Sequence, residues 1–332
     1  MATRSFLTSA AGLRSELISV RAPAKLNLSL AVLARRDDGF HEIESLMVPV
    51  TLCDTLRVQA SDVPGIRLRV RFGGRLATAA GSPLAHDVPT DATNLVVRAA
   101  QALAVEAGLA ASPDSLCTPG LDIDLVKRIP SGSGLGGGSS DAAAVLMAAT
   151  QAWRLEGSRE RLAAIGARIG SDVPVFFAGG AAIAGGRGER IETVAGLPPL
   201  HVVIARPLAG LSTAAVYARC TPDASRRGTA QRLAAALAAG RFRGALPLMH
   251  NSLEGPARSM CAEVARLLDH FASAGATHPM LTGSGSACFA LMRSATESRR
   301  VAARLEMAGW PGVYAVRLAP KAHEPLATPV CE

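Results

Sequence analysis

Apolar and polar residues alternate in several stretches of the first half of the chain, a pattern typical of β-strands with one buried face. The alternation covers Ile18–Arg21, Lys25–Leu30 and Leu121–Leu125, and Val48–Val58 predicts a further strand. A helix that ends at a glycine is predicted over Asn94–Gly108. The first half of the chain is therefore predicted to combine strands with helices.

A glycine-rich turn is predicted to connect a strand to a helix near the middle of the chain. Pro130 ends the preceding strand, and five of the seven residues in Gly132–Gly138 are glycines. Ser139 is expected to cap the following helix, which is predicted to run from Asp141 to about Trp153. The predicted order is therefore strand, glycine turn, helix.

Strands and helices also alternate in the second half of the chain. The predicted elements are strands at His201–Ala205 and Cys288–Met292 and helices at Arg232–Ala239, Cys261–Ala274 and Thr296–Gly309. Alternation in both halves favours two layers of α/β or α+β type.

Composition narrows the classes of protein that fit this pattern. The chain has 332 residues, 49% of them hydrophobic, which is enough for two domains with large cores. Aromatic residues make up only 4%, too few for a surface that stacks on single-stranded nucleic acid. The net charge of +8 is carried mainly by scattered Arg residues and fits an anionic small substrate. No apolar run approaches the length of a membrane span, so neither nucleic acid nor a membrane is expected as a partner.

Four segments are expected along the chain. Residues 1–17 are rich in Ser, Ala and Arg and are expected to form a flexible arm. Residues 18–195 and 196–320 are expected to be two domains, followed by a tail at 321–332, and residues 73–92 look like a loop insertion. The six Cys show no zinc or CxxC spacing, which favours reduced thiols and a cytoplasmic location.

The glycine turn predicts an anion site, because glycines let backbone N–H groups approach phosphate oxygens and the next helix adds its positive end. Gly132, Gly134 and Gly137 match the dinucleotide fingerprint literally, but no acidic residue closes a second strand about 20 residues on. A Walker loop needs Lys after its last glycine, and Ser139 stands there instead. A purely structural turn is the remaining alternative.

Longer segments around the turn carry a resemblance to a known family. Lys127–Ala143 resembles the phosphate loop of the GHMP kinases, and Pro23–Leu28 and Leu281–Phe289 resemble their first and third motifs. Within that family, Arg36–Glu42 and Gly170–Phe177 resemble the diphosphocytidyl-methylerythritol kinases of the non-mevalonate isoprenoid route. The resemblance covers about residues 18–318.

The resemblance implies a fold and a reaction. The fold would be α+β with two domains: an N-terminal α/β domain like that of ribosomal protein S5 and a C-terminal ferredoxin-like domain, with the active site in the cleft between them. The reaction would use ATP and Mg²⁺ to phosphorylate the 2-hydroxyl of diphosphocytidyl-methylerythritol, in a monomer or homodimer.

The resemblance also implies roles for single residues. Asp172 would be the base that takes the hydroxyl proton, and Lys25 would orient it and polarise the hydroxyl. Phe40 would stack on the cytosine, where the family usually has Tyr, so the stacking face is kept and the hydroxyl is lost. The remaining predicted substrate-binding residues are Asn27, His41, Lys127 and Tyr217.

ATP is expected to bind the glycine turn and the third motif. The predicted ATP-binding residues are Pro130, Gly132, Gly134, Leu135, Gly136, Gly137, Gly138, Ser139, Ser140, Gly283 and Ser284. Ser139 or Ser140 is the candidate ligand for Mg²⁺, which prefers oxygen.

Two other kinds of function stay open on the sequence. One is another small-alcohol kinase of the same family, of the homoserine or mevalonate type, against which the Phe40-His41 pair argues. The other is a non-catalytic nucleotide- or RNA-binding module, against which the presence of both Lys25 and Asp172 argues.

Overall fold

The structure is a computed structural model that describes residues 16–76, 88–113, 115 and 118–319. The expected tail at 321–332, residues 1–15 of the expected arm and most of the expected loop insertion at 73–92 lie outside the described residues.

The described strands form two sheets. In chain order the strands are β1 (Ile18–Arg35), β2 (His41–Ser61), β3 (Ile66–Phe72), β4 (Gly120–Lys127), β5 (Ala182–Gly186), β6 (Arg190–Thr193), β7 (His201–Arg206), β8 (His250–Asn251), β9 (Met280–Leu281), β10 (Cys288–Met292) and β11 (Gly312–Arg317). The first sheet has the order β3-β4-β2-β1-β8, with β5 pairing with β2 and β6. The second sheet has the order β11-β7-β10-β9 and is antiparallel.

Nine helices accompany the sheets in the described part of the chain. They are α1 (Leu95–Glu106), α2 (Gly137–Ala152), α3 (Arg159–Ile169), α4 (Thr213–Ala218), α5 (Thr229–Ala238), α6 (Phe242–Ala245), α7 (Glu254–Met260), α8 (Ala262–Ser273) and α9 (Ala295–Met307). In that same part of the chain, no helix combines the length and the apolar character that crossing a bilayer requires.

The start of α2 differs from the sequence prediction. The helix begins at Gly137 rather than Asp141, and its N-cap residue is Gly136 rather than Ser139. Gly136 has a φ of 71°, in the left-handed region that glycine adopts without strain. The helix therefore starts inside the glycine run, and Ser139 lies in its first turn.

Strands β1 and β2 are longer than the sequence indicates. They pair antiparallel from Ile18↔Val58 to Arg35↔His41. β1 continues through register shifts at Pro23/Lys25 and Asn27/Ser29, so the two strands that the sequence predicts there are one strand. β1 is buried on both faces from Leu26 to Leu33, because other elements cover both sides of the sheet here.

Three apolar clusters hold the layers together. Helices α1, α2 and α3 pack on one face of the first sheet, and α7, α8 and α9 pack on one face of the second. Between the sheets, Leu26 and Val48 of the first share a core with Ile204 and Phe289 of the second. One continuous core therefore joins the two sheets, which is the mixed α+β architecture that the sequence predicts.

Candidate active site

A cleft of about 870 Å³ lies between segments of the first sheet and the turns that flank the second sheet. Most of the predicted site residues line it, namely Lys25, Asn27, Phe40, His41, Gly132, Gly134, Gly136, Asp172, Tyr217, Gly283 and Ser284. The fold thus brings together residues that are up to 259 positions apart, from Lys25 to Ser284.

The glycine turn is shaped by backbone conformations that favour glycine. Gly132, Gly134 and Gly136 have φ values of 63°, 79° and 71°. At Gly134 a Cβ atom would lie 2.3 Å from the carbonyl oxygen of Thr282, so any side chain there would collide with the third-motif turn. The turn leads into the N-terminus of α2, where free N–H groups and the helix dipole favour an anion.

The remaining residues of the turn do not all face the cleft. Pro130 and Leu135 are buried, and Leu135 contributes its carbonyl oxygen, which accepts the backbone N–H of Lys25 at 2.9 Å. Ser140 is buried, its hydroxyl lacks a hydrogen-bond partner, and it borders a separate small cavity. Ser139 is only half-buried and lies beside Gly170 in the turn before Asp172. Of the two candidate Mg²⁺ ligands, Ser139 is therefore the better placed.

Lys25 and Asp172 form the charged centre of the cleft. The Lys25 Nζ lies 3.2 Å from the Asp172 Oδ2, and it also donates a hydrogen bond to the Asn27 Oδ1 at 2.7 Å. Asp172 reaches the cleft from the turn after α3, where the next residue, Val173, is fully buried and anchors the segment against Gly166. An ammonium and a carboxylate in contact at the floor of a cleft can polarise a hydroxyl and accept its proton.

Asn27 holds Lys25 rather than presenting free polar atoms. Its Nδ2 donates to the Ser45 hydroxyl at 2.8 Å, and its backbone N–H donates to the Thr282 hydroxyl at 3.1 Å. Asn27 is only 1% exposed and accepts a hydrogen bond from Lys25, so it positions the ammonium, and its predicted contact with substrate stays a prediction.

Aromatic side chains line another part of the cleft, called here its aromatic end. His41 and Tyr217 lie with ring centroids 5.2 Å apart, and Phe40 beside them has 49% of its surface exposed. Burial, and after it the charge of Arg35, lowers the pKa of the His41 imidazole and favours the neutral ring. Burial, and after it the Asp172 carboxylate, raises the pKa of the Tyr217 hydroxyl. Two neutral polar rings beside an exposed phenylalanine suit a flat base with hydrogen-bonding edges.

Lys127 is buried and is not among the residues that line the cleft. Its Nζ is buried beneath the glycine turn, in contact with Asp54 and 2.7 Å from the Asp141 Oδ2. The sequence places Lys127 at the end of a strand beside the turn, but it does not show the direction of the side chain. In the structure Lys127 pairs with two buried carboxylates, and its contact with substrate or phosphates stays a prediction.

Arg187 and Thr213 are among the cleft residues that sequence reasoning missed. Arg187 lies in the turn between β5 and β6, within a glycine-rich stretch, Gly179–Gly188, that belongs to none of the motifs named above. Thr213, at the start of α4, forms a hydrogen bond of 2.8 Å with Ser284 across the cleft. The signal in the sequence that could have indicated Arg187 is its position as a cation within a glycine-rich stretch.

Comparison with known families matches both halves of the chain. Residues 94–180 match the model of the GHMP kinases N terminal domain, and residues 233–309 match that of the GHMP kinases C terminal.

Relatives of known name cover nearly the whole chain. A 4-diphosphocytidyl-2-C-methyl-D-erythritol kinase of Rhodopirellula baltica is 39% identical over 91% of this chain and 95% of its own length. One of the same name from Shouchella clausii is 36% identical over 90% and 94%. A solved structure of 4-(cytidine 5'-diphospho)-2C-methyl-D-erythritol kinase aligns with a TM-score of 0.70, 35% identity and coverage of 91% and 99%.

Proposed function

The chain belongs to the 4-diphosphocytidyl-2-C-methyl-D-erythritol kinases of the GHMP kinase family, and from that premise we propose how its cleft works. The enzyme transfers the terminal phosphoryl group of ATP to the 2-hydroxyl of 4-diphosphocytidyl-2-C-methyl-D-erythritol. The observation that carries the assignment of roles is the contact of Lys25 with Asp172 at 3.2 Å in the same cleft as the glycine turn.

The proton of the acceptor is proposed to leave towards Asp172. As the acceptor oxygen attacks the terminal phosphorus, its O–H bond breaks, the proton passes to the Asp172 carboxylate, and ADP leaves with the electrons of the broken P–O bond. The Lys25 ammonium stabilises the negative charge that develops on the acceptor oxygen. Catalysis of this kind depends on alignment, which the rigid contacts of Lys25 with Asn27 and Leu135 supply.

The donor is proposed to lie on the glycine turn. The N-terminus of α2 and the third-motif turn at Gly283 and Ser284 would surround its phosphates. No cluster of three or more His, Cys, Asp or Glu side chains that could hold a metal ion occurs in the described ranges. The Ser139 hydroxyl at the start of α2 is the side-chain oxygen proposed to hold Mg²⁺ beside the phosphates, and when bound Mg²⁺ would neutralise part of the phosphate charge.

The acceptor is proposed to bind through its cytosine at the aromatic end of the cleft. Phe40 and Tyr217 offer faces for stacking, and the neutral His41 ring can both donate and accept hydrogen bonds at the edge of the base. Stacking of the cytosine on Phe40 and the position of Asp172 in the same cleft would then fix which hydroxyl reaches the Asp172 carboxylate.

A substrate panel tests this proposal directly. ADP release should be measured by a coupled assay with 4-diphosphocytidyl-2-C-methyl-D-erythritol, homoserine and mevalonate, each at the same concentrations and with Mg²⁺ and ATP. We expect sustained turnover with the cytidine-containing acceptor alone, because only that acceptor can use the aromatic end of the cleft. ADP release with homoserine or mevalonate and none with the cytidine compound would refute the proposal.

A further inference from the structure

Arg187 stands in a turn whose backbone is held firmly against the catalytic segment. The turn between β5 and β6 is closed by a hydrogen bond from the Gly188 N–H to the Gly185 carbonyl at 3.0 Å, and the Arg187 N–H donates to the Glu189 carboxylate at 2.6 Å. Gly188 packs closely on Ser171, the residue before Asp172. The pairing of β5 with β2 brings this turn to the cleft.

The guanidinium of Arg187 lies over the ring of Phe40. Its Cζ is 4.4 Å from the ring centroid, well within the range of an attractive cation–π contact. A phenylalanine ring has two faces, so a cation on one face leaves the other free for a stacked base. A guanidinium that stacks through its face also keeps its in-plane N–H groups available for an anion.

The other cations near Phe40 are engaged with acidic side chains, except Arg35, which also lines the cleft and makes no ion pair of 4 Å or less within the described residues. Lys25 pairs with Asp172, Arg36 pairs with Asp38 and Glu42, and Arg190 pairs with Glu42. Within the described residues, Arg187 makes no ion pair of 4 Å or less. Burial acts to raise the pKa of Asp38, but the Phe40 N–H, Arg36 and the charge of Arg187 together lower it. Its charge is therefore available to a ligand in the cleft.

We propose that Arg187 is an acceptor-binding residue that recognises the cytidine diphosphate part of the substrate. Its guanidinium orients the Phe40 ring for stacking on the cytosine, and its N–H groups bind the diphosphate. This inference rests on the proposed function, because it needs an acceptor that carries both an aromatic base and a diphosphate. It assigns to the β5–β6 turn a part in substrate choice.

Binding of fragments tests the inference without turnover. Cytidine and CDP should be titrated by calorimetry into wild type, Arg187→Gln and Arg187→Lys, each saturated with ADP so that the donor side is filled. We expect Arg187→Gln to weaken CDP binding about tenfold or more and cytidine binding about threefold, since both the charge and the cation–π contact are lost. Arg187→Lys should recover much of the CDP affinity, because it retains the charge.

The matched control is Arg168→Gln on α3, which removes the same charge from an exposed side chain paired with Glu106 outside the cleft. It should leave both affinities unchanged. Steady-state kinetics of Arg187→Gln should show a raised KM for the acceptor and an unchanged KM for ATP. Equal weakening of ATP and acceptor would contradict an acceptor-specific role.

A double-mutant cycle separates the two contributions of Arg187. If the guanidinium acts on the base through Phe40, then Arg187→Gln should weaken cytidine binding much less in a Phe40→Ala background than in wild type. Additive losses would overturn the proposed orientation of the ring by Arg187.

Failure of this inference can be told apart from failure of the proposed function. If wild type turns over the cytidine-containing acceptor and Arg187→Gln binds both fragments within twofold of wild type, only the role of Arg187 is rejected. Arg187-dependent CDP binding without turnover of that acceptor would reject the proposed reaction alone. Arg187→Lys keeps a cation at the site, so recovery of CDP affinity in that variant shows that the loss in Arg187→Gln is not caused by misfolding.

Discussion

Lys25 is a buried cation whose hydrogen bonds are only partly used. It is 3% exposed, and its Nζ donates to Asn27 and contacts Asp172. An ammonium has three N–H donors, so the third is left for an oxygen in the cleft. The partner carboxylate is more exposed, with 33% of its side chain accessible. The pair therefore presents one donor and one acceptor to the same ligand atom, which is what a hydroxyl that loses its proton requires.

Replacing Asp172 by Asn should remove the proton acceptor and keep the shape of the site. The amide oxygen can still accept a hydrogen bond from Lys25, so the fold and the nucleotide site should be preserved. We expect kcat to fall by about 10²–10⁴-fold, the usual contribution of a general base, with little change in ADP affinity. Steady-state rates and ADP calorimetry measure the two effects.

The control for that variant is Asp124→Asn on β4, where a carboxylate pairs with Arg69 away from the cleft. It should have wild-type kcat. A kcat for Asp172→Asn within about threefold of wild type would show that Asp172 is not the base.

At the level of single residues, the sequence predicts positions that belong to motifs and misses those that tertiary pairing creates. Lys25, Asp172 and the Phe40-His41 pair lie in motif segments, and the structure brings them to one cleft. The direction of the Lys127 side chain depends on the placement of Asp54, which is 73 residues away. Arg187 reaches the cleft only because β5 pairs with β2, and neither strand signals that register in its own sequence.

Three elements meet at a buried charge cluster beneath the glycine turn. Lys127 at the end of β4 contacts Asp54 of β2 and Asp141 of α2. One oxygen of Asp54 accepts the backbone N–H groups of Arg128 and Ile129, the latter at 2.8 Å, and the other accepts Lys127. The Oδ1 of Asp141 has no hydrogen-bond partner. The cluster connects the strands to the start of α2, and Asp141 is its least satisfied member.

The ionisation of Asp141 links this cluster to pH. Burial raises the pKa of the Asp141 carboxyl to about 7; Lys127 opposes the shift and Asp54 adds to it. Because the pKa in the folded state lies above the ordinary value, the protonated carboxyl stabilises the fold. That contribution is present at low pH and is lost as the pH rises through about 7.

Replacing Asp141 by Asn should therefore stabilise the protein more at high pH than at low pH. Asn keeps an oxygen for Lys127 and leaves a balanced Lys127–Asp54 pair, without a second buried charge. We expect the gain in the free energy of unfolding to be about 1 kcal/mol larger at pH 9 than at pH 6, because the folded carboxyl loses its proton between these two values. Thermal or urea unfolding of both proteins between pH 6 and pH 9 measures the difference. A difference that does not change over this range would contradict a proton on Asp141.

Elements with strong patterns are predicted well, and those defined by pairing are not. The strand at 121–125 lies within β4, and the helix predicted over 94–108 is α1 with Asn94 as its N-cap. The start of α2 was placed too late, because a left-handed Gly136 can cap a helix without a polar side chain. β8 has only two residues, too few for any periodicity, and exists because it pairs with β1.

The whole molecule is joined across its cleft by hydrogen bonds as well as by its shared core. The Ala287 N–H donates to the Ser133 carbonyl at 3.0 Å, and the Arg206 guanidinium donates to the Ser131 carbonyl at 2.9 Å. Both bonds connect the glycine turn to segments of the second sheet. Since the proposed donor site is lined by residues from both sides of these contacts, a nucleotide bound in the cleft should stabilise both halves of the molecule together.

The two tryptophans allow this coupling to be measured, because each reports on a different sheet and its helices. Trp153 packs against the apolar cluster of the first sheet, and Trp310 packs against that of the second. Trp153→Phe and Trp310→Phe each leave one reporter.

Chains of this size often unfold in several steps, but the apolar core shared between the sheets favours a single transition. Fluorescence midpoints in the two variants should therefore coincide with the calorimetric transition of each. ADP at 100 times its Kd should stabilise both by about 2.7 kcal/mol. Separate midpoints, or a shift at only one reporter, would show that the halves unfold independently and that the cleft contacts do not couple them.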